Sequence, residues 1–543
     1  MTETAAPSDA TLVVLATADT LAADGNQDRL LHSLHPLGKA VRLLLLVSDT
    51  DGLAAACRLH DAGLTGMELL LAAGLPDPPV AIPFGRMPVG GGAGARTDAP
   101  DEQDEFALAL SDVLWAPPGH RLAARAKQLG KPVVAPGTGL PSLPPAAEVT
   151  RGLDPEALVW FKCRRAWFGR LDHLLVALLG FCQPAFWGTA ARAHWKHLRK
   201  GWGCGWGPAP YFAPPACAAL APDQRALADD APLARRFAML DRAASFGAYI
   251  HRDIGWAAHF VAAGAVLAAV LGAYSTEASG AHAAPVHTAS VVEIVMLLGI
   301  AALMLAIRRC RLQDRWTACR MGAEQLRIAR MCLPLMAVPA ALVSEDTWPG
   351  RPAGASTAPD LTLAALAEVK RAVREHGVPR VPASVTPQQA AAWVRCIVQD
   401  QVGYHAANHH RLEHAERTLR VVSVLLFAGA VVAVALALLH ERWPCLPVLE
   451  MPLLYTAALP AFAAAFHGAA TRLGIVSRVA LSQSAERELR VMADALTELI
   501  RRPQVGDNAW AEVRRLALDA AAAMGRENVS WHSQVRLQRD TLP

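Results

Sequence analysis

Four short apolar runs near the start of the chain are each followed by small, hydroxylic or acidic residues: Thr17 and Asp19, Ser48 and Asp49, Pro117 and Gly119, and Gly137 and Thr138. If those runs are strands of one parallel sheet, these residues lie at its carboxyl edge, where such sheets bind ligands. A carboxylate such as Asp49 would accept ribose hydroxyls, and a helix amino terminus would hold phosphate. No GxGxxG follows the first run, and GGGAGAR (90–96) reads as a linker within a long loop. A second group of ionisable residues stands inside long apolar stretches. Glu293 lies one turn inside the outer end of one, and His259 and His467 lie near the inner ends of two others. A ring of Glu293 side chains facing a lumen would favour cations; otherwise the carboxylate reaches the headgroups and the histidines bond neighbouring helices. His405, His409, His410 and His414 include two i, i+4 pairs, a spacing able to chelate a metal, but no HExxH carboxylate accompanies them. A solvated or headgroup-contacting face is expected there, and no metal site.

The elements that must position these groups follow from composition. Of 543 residues, 53% are hydrophobic and only 18% charged, with a mean hydropathy of +0.23. This excludes a mainly disordered chain, and ten cysteines in such a length exclude a disulfide-stapled secreted scaffold. A net charge of +4 does not point to nucleic acid, so none is expected as a partner. The apolar excess is concentrated in 254–274, 290–307, 421–439 and 451–470, none of which holds Lys or Arg. Each is long enough to cross a bilayer, which takes about 20 helical residues; Pro460 interrupts the last.

Arginines set the orientation. Arg235, Arg236, Arg242 and Arg252 precede the first span, Arg308, Arg309, Arg311, Arg315 and Arg320 follow the second, Arg411, Arg417 and Arg420 precede the third, and Arg472, Arg478, Arg487 and Arg490 follow the fourth. The connection 275–289 has no Lys or Arg, and 440–450 has only Arg442. Both short loops are therefore expected outside and both termini in the cytoplasm, in a multi-pass protein of a bacterial inner membrane. The first 25 residues lack a basic n-region and do not read as a signal peptide. Nine cysteines then face the reducing side or its boundary, with no CxxC, so neither structural disulfides nor a zinc finger is expected.

The expected fold is an α/β Rossmann-like parallel-sheet cytoplasmic domain joined to an all-α, four-helix transmembrane region of two hairpins with long cytoplasmic helices. In residues 1–145, strands at 11–16, 41–47, 67–73, 112–116 and 132–136 alternate with helices at 28–37, 53–62, 105–110 and 121–129. Residues 146–235 form a Trp- and Arg-rich membrane-proximal linker, its aromatics matching headgroup-level packing better than single-stranded nucleic acid. A first two-span unit occupies 236–335, a Pro- and Gly-containing linker 336–390, a second two-span unit 391–502, and a cytoplasmic helix and tail 503–543.

The two units share one plan. Each opens with an inner helix carrying Tyr and His, GAYIHRD (247–253) and VGYHAANHHRLEHAERTLR (402–420), makes a hairpin, and continues into a helix with an acid and basic residues. Those are DRWTACRMGAEQLRIAR (314–330) and SRVALSQSAERELRVMADALTELI (477–500), a parallel duplication. The plan resembles the SLATT family of two-span effectors associated with SMODS and SLOG proteins, and the related DUF4231-type membrane proteins. The residues carrying the resemblance are Arg315, Trp316, Arg320, Ala323, Glu324, Leu326 and Arg327, then Tyr404, His405, Arg417 and Leu419, and in the weaker copy Glu486, Leu489 and Arg490. The stretch SDVLWAPPGHRLAARAKQLGKPVVAPG (111–137) looks like the second half of SLOG-type nucleotide-sensing domains.

The resemblance implies an effector of bacterial conflict systems that assembles as a homo-oligomer and permeabilises or perturbs the lipid bilayer. A nucleotide second messenger bound by the cytoplasmic domain would trigger it, with no cofactor beyond that ligand. A membrane-anchored nucleotide-processing enzyme, a constitutive channel and a structural membrane protein are the alternatives; no catalytic residues are assigned, and the balance leans away from an enzyme.

Overall fold

A computed structural model describes the chain over 12–34, 41–86, 102–140, 231–342, 361–379, 385–442, 452–502 and 508–537, apart from short gaps within these stretches. The Trp/Arg-rich part of 146–235, up to residue 230, and the loop 90–96 lie outside the described residues.

Continuous apolar runs become strands. β1 (Leu12–Thr17), β2 (Val41–Val47), β3 (Met67–Leu71), β4 (Phe84–Arg86), β5 (Val113–Trp115) and β6 (Val133–Val134) form one six-stranded sheet, ordered β4-β3-β2-β1-β5-β6 with every pair parallel. The strand order reverses between β1 and β5. β4 falls where a Gly- and Pro-rich loop is expected: Gly85 weakens it as a strand by itself, and pairing with β3 decides it. Between the strands run α1 (Ala18–Ala22), α2 (Asn26–Leu34), α3 (Thr50–Asp61), α4 (Glu102–Leu110) and α5 (Ala123–Gln128).

Alternate residues of the strands enter two different cores. Val14, Ala16, Leu43, Leu45, Leu69 and Trp115 pack with α1, α2 and α3. Val13, Leu15, Leu44, Leu46, Leu70 and Leu114 belong to a core that includes α4 and α5 and then continues into the helical half of the molecule. Parallel strands buried on both faces read as unbroken apolar runs for this reason.

The helical half comprises α6 (Ala231–Ser279), α7 (Ala284–Arg309), α8 (Leu312–Cys332), α9 (Leu361–His376), α10 (Pro387–Arg442), α11 (Pro452–Arg472), α12 (Ile475–Arg501) and α13 (Asn508–Leu537). Four of these helices, α6, α7, α10 and the α11–α12 stretch, contain segments long and apolar enough to cross a membrane. α7 packs on α6, α6 on α11, and α11 on α10. No described side chain along 287–309 of α7 is buried, and Val295, Leu298, Leu425 and Phe427 are more than half exposed. Helix α11 runs on through Pro460.

α6 and α10 have 49 and 56 residues, so at 1.5 Å per residue they extend about 74 and 84 Å, well over the roughly 30 Å of a hydrocarbon core. Each hairpin returns through an elbow of the same geometry. Arg311 between α7 and α8 and Gly474 between α11 and α12 both adopt the left-handed region, with φ +48° and +60°. Arg315, Leu326 and Arg327 stand at the same separations beyond Arg311 as Arg478, Leu489 and Arg490 beyond Gly474.

Two expectations are corrected. The linker read over 336–390 contains α9, whose Leu361, Ala364, Ala365, Val369, Ala372 and Val373 form a buried helical face; the flanking prolines and glycines hid an amphipathic period. Cys396 is disulfide-bonded, whereas Cys57, Cys319 and Cys332 are free thiols.

The approach of α1 to α3 depends on a glycine. A Cβ on Gly52 would lie 2.3 Å from the Ala18 Cβ. Gly52→Ala is expected to destabilise the chain by about 1–3 kcal/mol in denaturant melts, and Ala18→Gly in the same chain should recover part of that loss. Equal stability of Gly52→Ala and wild type would refute the packing.

Candidate functional site

At the reversal of strand order, the end of β1 meets the loop after β5. Thr17 caps α1, accepting from the Thr20 amide, and its hydroxyl lies 2.9 Å from the Thr20 hydroxyl and 3.2 Å from His120 Nε2. The Leu122 amide donates to His120 Nδ1, so the ring proton sits on Nε2 and is donated to Thr17. Thr17 Oγ1 already accepts twice and therefore donates to Thr20. Burial, with Arg121 behind it, pushes the His120 pKa below its ordinary value, against the pull of Asp19 and Asp104, and the ring is neutral at pH 7. Arg121 is held by the buried Asp104 in a two-pronged pair.

The remaining expected ligand residues have local roles. Asp49, read as a ribose acceptor, accepts from the Gly52 amide at 2.7 Å through Oδ1 and caps α3. Such a cap is among the commonest uses of Asp after a strand. Gly119 lies in the turn closed by the His120 amide and the Pro117 carbonyl, with open space at its Cβ position. Gly137 is left-handed at φ +93°, and the Thr138 hydroxyl donates back to the Ala135 carbonyl. The structure thus gathers Thr17, Thr20, Asp19 and His120. Thr20 and His120 were outside the expected set; His120 could have been found as the first polar side chain after β5.

The intramembrane candidates do not converge. Glu293 lies on the half-buried stripe of α7 that also carries Ala289 and Met296, which pack on Gly272 and Gly264 of α6. It therefore faces its hairpin partner. His259 is buried, with Nδ1 donating to the Gly255 carbonyl 2.8 Å away, and its ring lies against Gly468 of α11, where a Cβ would come within 2.6 Å. His467, the neighbour of Gly468, is exposed.

The helix motifs do converge, at the polar ends of the long helices. On α8, Glu324 takes Arg320 at 2.5 Å on one oxygen and Arg327 on the other. Asp241 of α6 reaches Arg320 at 3.5 Å, Gln401 of α10 accepts from Arg327 at 3.4 Å, and Arg327 lies over the Phe237 ring. Burial alone would raise the Glu324 carboxyl, but the two arginines hold it below its ordinary value. Burial lowers the His405 pKa to about 4 although Glu324 opposes it, leaving a neutral imidazole beside the ladder.

The second copy has its own smaller ladder. Glu486 of α12 pairs with Arg490 and lies 2.8 Å from His409 Nδ1. Tyr404 is exposed, edge-on to His405, and Trp316 is buried against His251 and Trp531. The α10 histidines divide accordingly, with His405 and His409 inward and His410 and His414 outward. Among the described residues no group of three or more His, Cys, Asp or Glu is placed to hold a metal.

Glu527 of α13 completes the main ladder and has no counterpart in the sequence reading. Burial, followed by the Glu324 charge, raises its pKa from 4.5 to about 7, against Arg320, Arg478 and Arg327. Burial, more than the balance of charge, is what holds the proton there, since Arg320, Arg478 and Arg327 all act against it.

Its folded pKa lies above the unfolded value, so the folded chain binds more protons between about pH 4.5 and 7 and loses stability as pH rises through that window. Glu527→Gln should remove that slope and add about 1–3 kcal/mol at pH 8, read from melting temperatures across pH; an unchanged slope would refute the assignment. Glu324→Gln, which strips two half-buried arginines of their shared partner, should cost about 3 kcal/mol, whereas Arg490→Gln at the exposed end of the second ladder should cost under about 1 kcal/mol. The chain matches no protein-family model, no curated protein and no solved structure among those compared.

Proposed function

We propose that this chain is a multi-pass membrane effector in which a Rossmann-like cytoplasmic domain binds a nucleotide-derived ligand and biases the packing of a four-span, homo-oligomeric region that permeabilises or perturbs the bilayer. The SLATT-like and SLOG-like resemblances favour a bacterial inner membrane and a role in conflict systems. The basic residues at the span ends favour cytoplasmic termini.

One observation carries the reading. The sheet is not tethered beside the helices; one of its faces shares a continuous apolar core with α6, α8 and α9. Polar contacts at the amino ends of the strands reinforce the joint. Asp112 takes the Val13 amide at 3.0 Å and pairs with Arg374 of α9, and Arg42 donates to the Arg374 carbonyl at 2.6 Å. Glu68 accepts from the Val378 amide at 3.2 Å, beside a left-handed Gly377 that leaves no room for a Cβ. Lys131 donates to the Ser111 carbonyl, and burial lowers its pKa to about 7 against Asp112. The ligand edge at Thr17 and His120 and the helix joint thus lie at opposite ends of β1 and β5. A ligand that prefers one packing of the sheet shifts the helices by its difference in affinity for the two states.

The test uses the full chain in liposomes, with dye release measured against a panel of nucleotides. A nucleotide is expected to alter release at least several-fold. Arg374→Gln should abolish the response while leaving nucleotide binding intact, and Thr17→Val should weaken binding itself. Conversion of the nucleotide to product would replace this reading with the membrane-anchored enzyme, and release insensitive to every nucleotide would replace it with a constitutive channel.

A further inference from the structure

Where the two halves of the helical region meet, just inside the ends of the spans, the structure encloses a cavity. Arg252 of α6 stands two residues before the first span, Trp316 of α8 lies beyond the second, and Ser477 and Arg478 of α12 follow the fourth. Trp531 and Gln534 of α13 close the remaining side. The left-handed Gly474 also lines it, so the amino end of the 27-residue α12, with its forward amides, opens into the same space.

Three arginines act on one wall of the cavity, and the carboxyl of Glu527 lies within the field of one of them, Arg478. His251, also in its wall, has its pKa lowered to about 3 by burial and then by Arg472, Arg478 and Arg252; all three charges acting on it are arginines. Arg308, at the end of α7, stands close enough to lower the Arg472 pKa as well. The aromatic wall is rigid, with Trp316 edge-on to Trp531 at 5.1 Å and His251 tilted against Trp316 at 4.9 Å. Gln534 Oε1 is buried without a hydrogen-bond partner among the described residues.

We propose that this cavity binds the phosphate head of an anionic phospholipid from the adjoining leaflet. Guanidinium groups match phosphate oxygens in two-pronged geometry, helix amino ends favour anions, and Trp side chains suit the headgroup level. Basic pockets between helices at a membrane boundary recognise such heads. The unpaired Gln534 carbonyl is free to accept a headgroup hydroxyl. The site rests on the membrane reading given above, and goes beyond it by assigning a lipid class to named residues. Because its walls come from α6, α8, α12 and α13, a bound head would join the two hairpin units.

The full chain, purified in neutral detergent, would be titrated with phosphatidylglycerol, phosphatidylcholine and inorganic phosphate, with thermal stability as the readout. Saturable stabilisation by phosphatidylglycerol is expected, with apparent affinity lowered about tenfold or more in Arg478→Gln and in Arg252→Gln. Arg417→Gln, whose side chain is 63% exposed on α10, should keep the wild-type affinity. Ser477→Asp, which places a carboxylate in the cavity, gives a second variant should an arginine substitution fail to fold. Equal affinities for the two lipids, or wild-type affinity in the folded cavity variants, would overturn the proposal. Stabilisation by inorganic phosphate at the same concentrations as the lipid would reassign the site to a soluble anion and overturn it too. Recovery of the chain in the soluble fraction of lysed cells would instead overturn the membrane reading, whereas a membrane-bound chain lacking lipid preference would overturn only the lipid site.

Discussion

An α-helix leaving an apolar layer has to satisfy two solvents with one uninterrupted backbone. α6 and α10 do this without a break: both continue from apolar stretches into polar ones for many turns. Their polar halves have too little water-facing surface to stay polar all round once α8, α12 and α13 pack on them. Charged groups therefore end up inside, and the Arg320–Glu324–Arg327 ladder with Asp241, Gln401 and a Glu527 whose pKa burial raises is the arrangement that makes this tolerable. The elbows at Arg311 and Gly474 direct α8 and α12 back along the long helices, so each ladder faces the element that completes it.

The sheet enters the same scheme as a packing layer. Its two faces are covered by different material, one by its own helices and the other by helices that run on toward the spans. Packed interiors transmit displacement because they are dense and have few voids. The joint at Asp112, Arg374 and Glu68 adds direction, since those contacts sit at one end of the strands while the polar cluster at Thr17 and His120 sits at the other.

What could be read in advance tracks how local each signal is. VRLLLLV is unbroken and apolar, and becomes β2 over those same residues. The four long apolar helices are legible because a run of about twenty apolar residues without Lys or Arg is both helix-forming and long enough to match the thickness of a hydrocarbon core. Arg320, Glu324 and Arg327 are legible because their partners lie within one or two turns of the same helix. Asp241, Gln401 and Glu527 are not, since each arrives from another helix and carries no mark of its destination. Asp49 shows a local use that the sequence pattern did not signal, one carboxylate oxygen capping the helix that begins beside it. α9 was obscured by the prolines and glycines on either side, although its apolar face repeats at helical spacing.

The length of α10 gives it the geometry of a lever. Over about 84 Å, a rigid tilt of about 5° at one end displaces the other by about 7 Å, roughly the reach of a large side chain. Gln401 and His405, which meet the Glu324 ladder of α8, sit on the polar arm of that lever, while the exposed apolar residues between Val421 and Leu439 occupy the other. A small change of angle at the polar end of such a helix is thus a large displacement at its apolar end.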